Sequence, residues 1–450
     1  MILLAVISYE YENFVSNIKK TMVIRIENLG PVKKIDIDLS KPMIILTGLN
    51  GTGKTYVLYA LYAILKMFIP ENDILGWTKL VKSSKKRKVG ILDVDKIYDI
   101  FQIHLKNVNE IIGYTFGIRS KSELIQEAKF SLLTSKKQLH EELLAAEFKI
   151  HADGVFDFLT KENTLEYSLE NLGEDLEYTD TVNYIVIKGL LFNSILEDIE
   201  PSDRGGLSTF IDEIEKGLKQ KKIDTNSPSN RGKYRQPMAI SRFLFDMKMK
   251  FENSSRASKY GYLADEIETE IMHGHLSISK SEEIIYRREG MKEDLPLSLS
   301  SSGVKTICSI ILFLKNTVMD CNMLIIDEPE INLHPKYQVM IARILAKIVN
   351  AGIRLIISTH SDYIIRELNN LIMLSSIKDE KTIKKLGYTK DLVLTKDDIA
   401  PYYFEFQEGN YVIGKEEVVT KTGFSISEID KVINSQVETS QNIYEIIEEI

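Results

Sequence analysis

Residues 48–55 read Gly-Leu-Asn-Gly-Thr-Gly-Lys-Thr and match G-x-x-x-x-G-K-[ST] at every fixed position. That spacing suits a triphosphate, because the glycines let consecutive backbone N–H groups converge on one anion. Asn50, Gly51, Thr52, Gly53, Lys54, Thr55 and Tyr56 would surround the phosphates of ATP. Lys54 would sit between the β- and γ-phosphates, and the Thr55 hydroxyl would ligate Mg²⁺. A second group is Met323-Leu324-Ile325-Ile326-Asp327-Glu328, an apolar run that ends in two carboxylates. Adjacent acids at the mouth of a buried strand cost stability unless a cation or a reaction uses them. Asp327 is therefore expected to hold Mg²⁺ through water, and Glu328 to act as general base on the attacking water.

Two further segments carry chemistry. Leu355-Ile356-Ile357-Ser358-Thr359-His360 is again an apolar run with a polar end. A strand there, beside that of Asp327, would bring His360 to the γ-phosphate. Ser300-Ser301-Ser302-Gly303 stands at the start of a helix-like stretch. Small hydroxyl residues and glycine at a helix N-terminus bind anions, although an N-cap serine cluster explains the same residues.

These residues need a scaffold, and the chain patterns for one. Residues 22–28 and 33–39 alternate as strands about a Leu-Gly-Pro turn, and 43–48 reads as a buried strand that feeds a helix from the phosphate loop. After residue 295 come, in turn, a helix (303–319), a strand (323–329), an amphipathic helix (335–350) and a strand (354–360). Buried strands alternating with helices imply an α/β fold whose mainly parallel core sheet is covered on both faces. Between these parts lies a less regular, more charged span, with a helix-like stretch within 121–149 and loops expected at 83–90 and 216–250. A hairpin about Gly409-Asn410 and an acidic helical tail close the chain.

At 450 residues the chain is long enough for two or three domains. The expected division is an extension (1–21), an N-terminal lobe with a β subdomain (22–65), a large and mainly α-helical insertion (66–295), a C-terminal lobe (296–425) and the tail (426–450). The 57 basic and 65 acidic side chains leave a net charge of −8, which does not advertise nucleic acid as the main partner. Local basic stretches at 85–88 and 219–235 leave a nucleic-acid groove open, with solvated loops as the plainer reading. No run approaches the roughly 20 apolar residues of a membrane span, and the first residues make a poor signal peptide. Cys308 and Cys321 lie in apolar runs and read as buried free thiols of a cytoplasmic protein.

In their order the four motifs resemble the ABC-type ATPase heads of the SMC, Rad-fifty, RecF and OLD-like proteins. In such heads a phosphate loop precedes a long insertion, then a signature, an acidic strand end and a switch histidine. Ser301-Ser302-Gly303 falls where the family has L-S-G-G, with serine in place of its first glycine. The resemblance implies that Ser301 and Gly303 contact the γ-phosphate of ATP held by a second subunit. Residues 330–335, Glu-Ile-Asn-Leu-His-Pro, occupy the D-loop position, with His334 where the SMC group commonly has aspartate. Gln102 stands at the right distance for a Q-loop glutamine. The segments SSSGVK, DEPEINLHP, STHSDYIIRELN and IEPSDRGGLSTF resemble bacterial AAA-labelled ATP-binding proteins of anti-phage modules still more closely.

This likeness implies an ATPase (ATP and water to ADP and phosphate) acting as a cytoplasmic switch. Its heads would dimerise, or assemble further, around ATP and Mg²⁺, and so control a separate effector such as a nuclease or toxin. The stretch beyond His360 is expected to be too short for the TOPRIM nuclease of OLD proteins. The alternative is a DNA-binding repair ATPase of the RecF/SMC sort; the insertion lacks the sustained heptads of SMC arms, which counts against a long coiled coil.

Overall fold

The computed structural model describes residues 13–16, 21–66, 89–118, 122–144, 148–152, 154–161, 164–168, 188, 191–192, 196–209, 240, 243, 258–279, 284–316 and 322–448. Among the described residues, nine strands form the main sheet: β1 (Val23–Leu29), β2 (Val32–Asp38), β3 (Met43–Gly48), β4 (Lys129–Leu132), β5 (Leu196–Glu200), β6 (Asn322–Asp327), β7 (Arg354–Thr359), β8 (Ile399–Gln407) and β9 (Tyr411–Glu416). Their order across the sheet is β5-β6-β7-β3-β8-β9-β2-β1-β4. The five strands from β5 to β8 run parallel, and β9 also runs parallel to β2. The β8–β9, β1–β2 and β1–β4 pairs are antiparallel. The fold is thus α/β with a mainly parallel core sheet and a β extension at one side.

Burial explains why the parallel strands read as unbroken apolar runs. In β3, Ile44 and Leu46 enter one core while Met43 and Ile45 enter the other. In β6, Met323 and Ile325 face the first core, and Leu324 and Ile326 the second. A strand buried on both faces has no position at which a polar side chain is cheap. The first core is closed by helix α1 (Lys54–Lys66), which packs across β3, β5, β6 and β7, and by α2 (Val94–Phe116) behind it. The second is closed by α4 (Ser302–Asn316), α5 (Pro335–Asn350) and α6 (Asp362–Leu374). A short α3 (Arg204–Thr209) lies against α4. Among the described residues, no helix is long and apolar enough to cross a membrane.

Residues 66–295 bring strands as well as helices. Both β4 and β5 join the main sheet, while 89–93, 148–152, 154–161 and 164–168 form a second sheet with residues 13–16. Segments 274–278, 284–288 and 295–296 make a third. The helix expected within 121–149 ends at Leu144, and Phe148–Ala152 is a strand paired antiparallel to the segment after it. Of the loop expected at 83–90, residues 83–88 lie outside the described residues, while Val89 and Gly90 instead open a strand (Val89–Asp93) paired with 164–168. The loop expected across 216–250 lies outside them apart from 240 and 243, and so does Cys321. Cys308 is a buried free thiol whose pKa burial pushes upward. The acidic tail is α7 (Ser427–Glu448).

Candidate functional site

Register assembles the site. Asp327 at the end of β6 lies opposite Ser358 of β7, Thr359 opposite Thr47, and Gly48 opposite Phe404. The C-terminal ends of three neighbouring parallel strands are therefore level, and ligands of such sheets bind beyond those ends. The phosphate loop leaves β3 there and turns directly into α1. Gly48, Gly51 and Gly53 have φ of 142°, 77° and 91°, a region that non-glycine residues rarely occupy. The first turn of α1 points its free N–H groups and positive dipole end into the concavity.

Lys54 is 5% exposed, and its Nζ donates to the carbonyls of Gly48 at 2.9 Å and Leu49 at 2.7 Å. Burial lowers its pKa to about 8, against the opposing pull of Glu328, Asp327 and Glu330. The Thr55 hydroxyl donates to Asp327 at 3.1 and 3.3 Å from the two carboxylate oxygens. Asp327 is buried, which raises its pKa, and the hydroxyl of Ser358 donates to it as well. A hydroxyl and a carboxylate oxygen this close are hard ligands of the kind Mg²⁺ takes when phosphates complete its shell. The loop and this pair suit ATP with Mg²⁺. Around the loop, Tyr56 turns its ring edge-on to Phe116, at 5.6 Å between centroids, and Asn50 is exposed.

Glu328 and His360 meet. His360 Nε2 lies 2.8 Å from Glu328 Oε1 and its Nδ1 lies 3.2 Å from the Gly48 carbonyl, so the ring spans the gap between loop and base. The histidine bond holds the Glu328 carboxyl below its ordinary pKa. Glu328 takes a left-handed φ of 53°, and its backbone N–H donates to the Ser358 carbonyl at 3.2 Å and hydroxyl at 3.1 Å. Glu330, placed in the D-loop segment, had no chemical role in the motif reading. It accepts from the Thr359 hydroxyl at 2.8 Å and the His360 N–H at 2.7 Å, and burial raises its pKa. Its position in the Asp-Glu-Pro-Glu run was the available signal. Arg204 and Ser358 were also unassigned, Arg204 because no spacing links it to the strand end it touches.

The signature residues stand apart from this cluster. Ser301 caps the first turn of α4, accepting from Val304 N at 3.4 Å. Ser301 and Gly303 line a cavity of about 430 Å³ with Asn332, Leu333, His334 and Tyr337, and no residue of the phosphate loop lines it. His334 caps α5 by accepting from Lys336 N at 3.2 Å. Gln102 lies half-buried in the middle of α2. The basic stretches 85–88 and 219–235 lie outside the described residues.

Residues 22–365 match a family model described as an AAA ATPase domain. No curated protein matches the chain. Solved structures give distant likenesses. A SmcHead bound to the C-winged helix domain of ScpA is 12% identical over 89% of this chain and 98% of that one, with a TM-score of 0.39. The SMC head domain from Thermotoga maritima is 10% identical over 88% and 98%, with a TM-score of 0.34. A Pyrococcus furiosus Smc head domain with an extended coiled coil, bound to the C-terminal domain of ScpA, gives 10%, 94%, 100% and 0.36.

Proposed function

Because the chain belongs to the family of AAA ATPase domains, we propose that it binds and hydrolyses ATP as a switch, with each site completed by a second copy. The observation that carries this reading is the contrast between the two halves. One face gathers Lys54, Thr55, Asp327, Glu328 and His360 within hydrogen-bonding reach of one another or of the loop. Ser301 and Gly303 instead line a cavity with Asn332, Leu333 and His334 that no phosphate-loop residue lines.

The residues divide the work. Backbone N–H groups of 51–55 and the Lys54 ammonium hold the phosphates, moving Lys54 off the Gly48 and Leu49 carbonyls it now caps. Thr55 and Asp327 would hold Mg²⁺, which when bound neutralises charge on the β- and γ-phosphate oxygens. Glu328 accepts the proton of the attacking water once the His360 bond that lowers its pKa lets go, since that bond makes the carboxylate a weaker base while it lasts. His360 releases Glu328 toward the water and turns its N–H to the γ-phosphate. Closure of a second copy brings Ser301 and Gly303 to that phosphate, so nucleotide state and dimerisation become one equilibrium. The effector controlled in this way is a separate protein, a nuclease or toxin in an anti-phage module. That part rests on the likeness of residues 300–305, 327–335 and 358–369 to such ATPases.

Glu328→Gln tests the reading. The variant should bind ATP within a few-fold of the parent, hydrolyse it about 10²–10⁴ times more slowly, and accumulate as an ATP-bound dimer by light scattering. Parent-like turnover would remove Glu328 as the base. A variant that stays monomeric with ATP would remove the shared site.

A further inference from the structure

Arg204 heads the largest fully buried side chains, with no exposed surface at all. Its Nη1 donates to the Asp327 carbonyl at 2.8 Å and to that of Pro201 at 3.3 Å, and its Nη2 to the Glu328 carbonyl at 3.0 Å. The Nε edge donates to the Thr306 carbonyl, in the first turns of α4, at 3.1 Å. One guanidinium thus holds two consecutive peptides at the acidic strand end and, from its other edge, the helix that begins at Ser302. Thr306 is held from a second side, because Asn332 Nδ2 donates to its hydroxyl at 3.3 Å. The packing leaves no slack: a Cβ on Gly205 would lie 3.0 Å from Thr306 Oγ1, and one on Gly303 3.3 Å from the Asn332 carbonyl.

The grip falls where the backbone needs it. Glu328 sits at φ 53°, and a non-glycine residue stays in that region only when its surroundings fix it. The peptides on both sides of the Glu328 Cα direct its side chain, and Arg204 bonds the carbonyls of Asp327 and of Glu328 itself. Only a planar fork with several fixed donors can serve four separate carbonyls; a lysine is a point charge on a flexible stem. Burial lowers the pKa of the guanidinium, against the opposing pull of Glu200, Glu330, Asp327 and Glu328.

We propose that Arg204 is a positioning residue that aims Glu328 and couples it to the helix carrying Ser301 and Gly303, so that contact of that helix with a second copy's nucleotide is felt at the base. This rests on the ATPase reading above, and it adds a path from the signature face to Glu328 inside one chain. Arg204 is fully buried and acts through the peptides it holds.

The experiment is Arg204→Lys in the full chain, with Arg204→Gln, which keeps one planar donor group, should the lysine variant not fold. Steady-state kinetics should show kcat lower by about 100-fold, the scale of a misaimed catalytic group, with ATP affinity within about three-fold of the parent. A folded variant with unchanged kcat, or one losing binding and turnover in equal measure, overturns the positioning role. Hydrogen exchange without nucleotide is the second arm. Amides of 302–306 and of 327–331 should both exchange at least about ten-fold faster, with β3 and β7 unchanged. Acceleration in only one of the two segments overturns the coupling. If the parent itself does not hydrolyse ATP, the ATPase reading falls, while the exchange arm still decides whether Arg204 joins the two segments.

Discussion

Lys54 carries its charge in a buried place, at a cost to the fold. Its pKa falls from 10.5 to about 8, chiefly through burial. At ~1.4 kcal/mol per pH unit, that corresponds to about 3 kcal/mol against folding while the group is charged. Proton binding sets the sign: between pH 8 and 10.5 the unfolded chain holds the proton that the folded chain has released. The cost is therefore fully present below pH 8 and relieved as pH rises through that window, where stability from this group increases. Lys54→Met removes the charge but keeps an apolar stem. It should melt several degrees above the parent at about pH 7 without nucleotide, and the gap should narrow by about pH 9.5. A lower melting temperature near neutral pH would show that the loop carbonyls gain more from the ammonium than its burial costs. The same variant should bind no ATP, an example of a site that functions at the expense of stability.

At the scale of elements, the hinge point is the junction of β3 with the phosphate loop. Gly48 has φ 142°, and a Cβ there would lie 2.5 Å from the Phe404 carbonyl oxygen on β8. Gly48→Ala must therefore either push β8 away or pull the loop out of shape. It should lose about 2–4 kcal/mol of stability in urea unfolding and most of its ATP affinity. An alanine variant with parental stability and binding would mean that the loop can be rebuilt without this close approach. The junction was legible in the sequence because three signals agree there: a β-branched run, a glycine spacing and a helical run. Likewise α5 spans the residues expected for it, since Pro335 starts it and its apolar face keeps a 3.6-residue period. Residues 148–152 are harder, because Phe148 and Ile150 continue the apolar spacing of the helix before them. Two such residues cannot separate period two from period 3.6. The edge strand β5 left even less signal. Leu-Glu-Asp-Ile-Glu pairs with β6 on one side only, so its composition lacks the doubly buried look of its neighbours. Arg204, four residues beyond it, stood inside the IEPSDRGGLSTF likeness without a role, because its partners are backbone carbonyls, which leave no residue type to recognise.

Whether the whole molecule works in pairs turns on the separation of Ser301 from Lys54. Sequence order placed both in one chain, and no local pattern can say which copy's Ser301 serves which phosphate loop. The distinction is testable without knowing the effector. Lys54→Ala removes the cation on the phosphates, and Ser301→Arg places a bulky side chain on the face that should meet a partner's γ-phosphate. Each variant alone should be inactive, the first for want of nucleotide and the second because neither of its two sites can be completed. Mixed in equal amounts they form hybrids in which the Ser301→Arg copy holds ATP and the Lys54→Ala copy supplies an intact Ser301. Half of randomly assembled dimers are hybrids, and each has one complete site of two. The mixture should recover about one quarter of parental turnover per chain, on the symmetry of an isologous pair. Titrating one variant into the other should give a maximum at equal amounts. A site complete within a single copy predicts no recovery at any ratio, because no chain in the mixture carries both Lys54 and Ser301 intact.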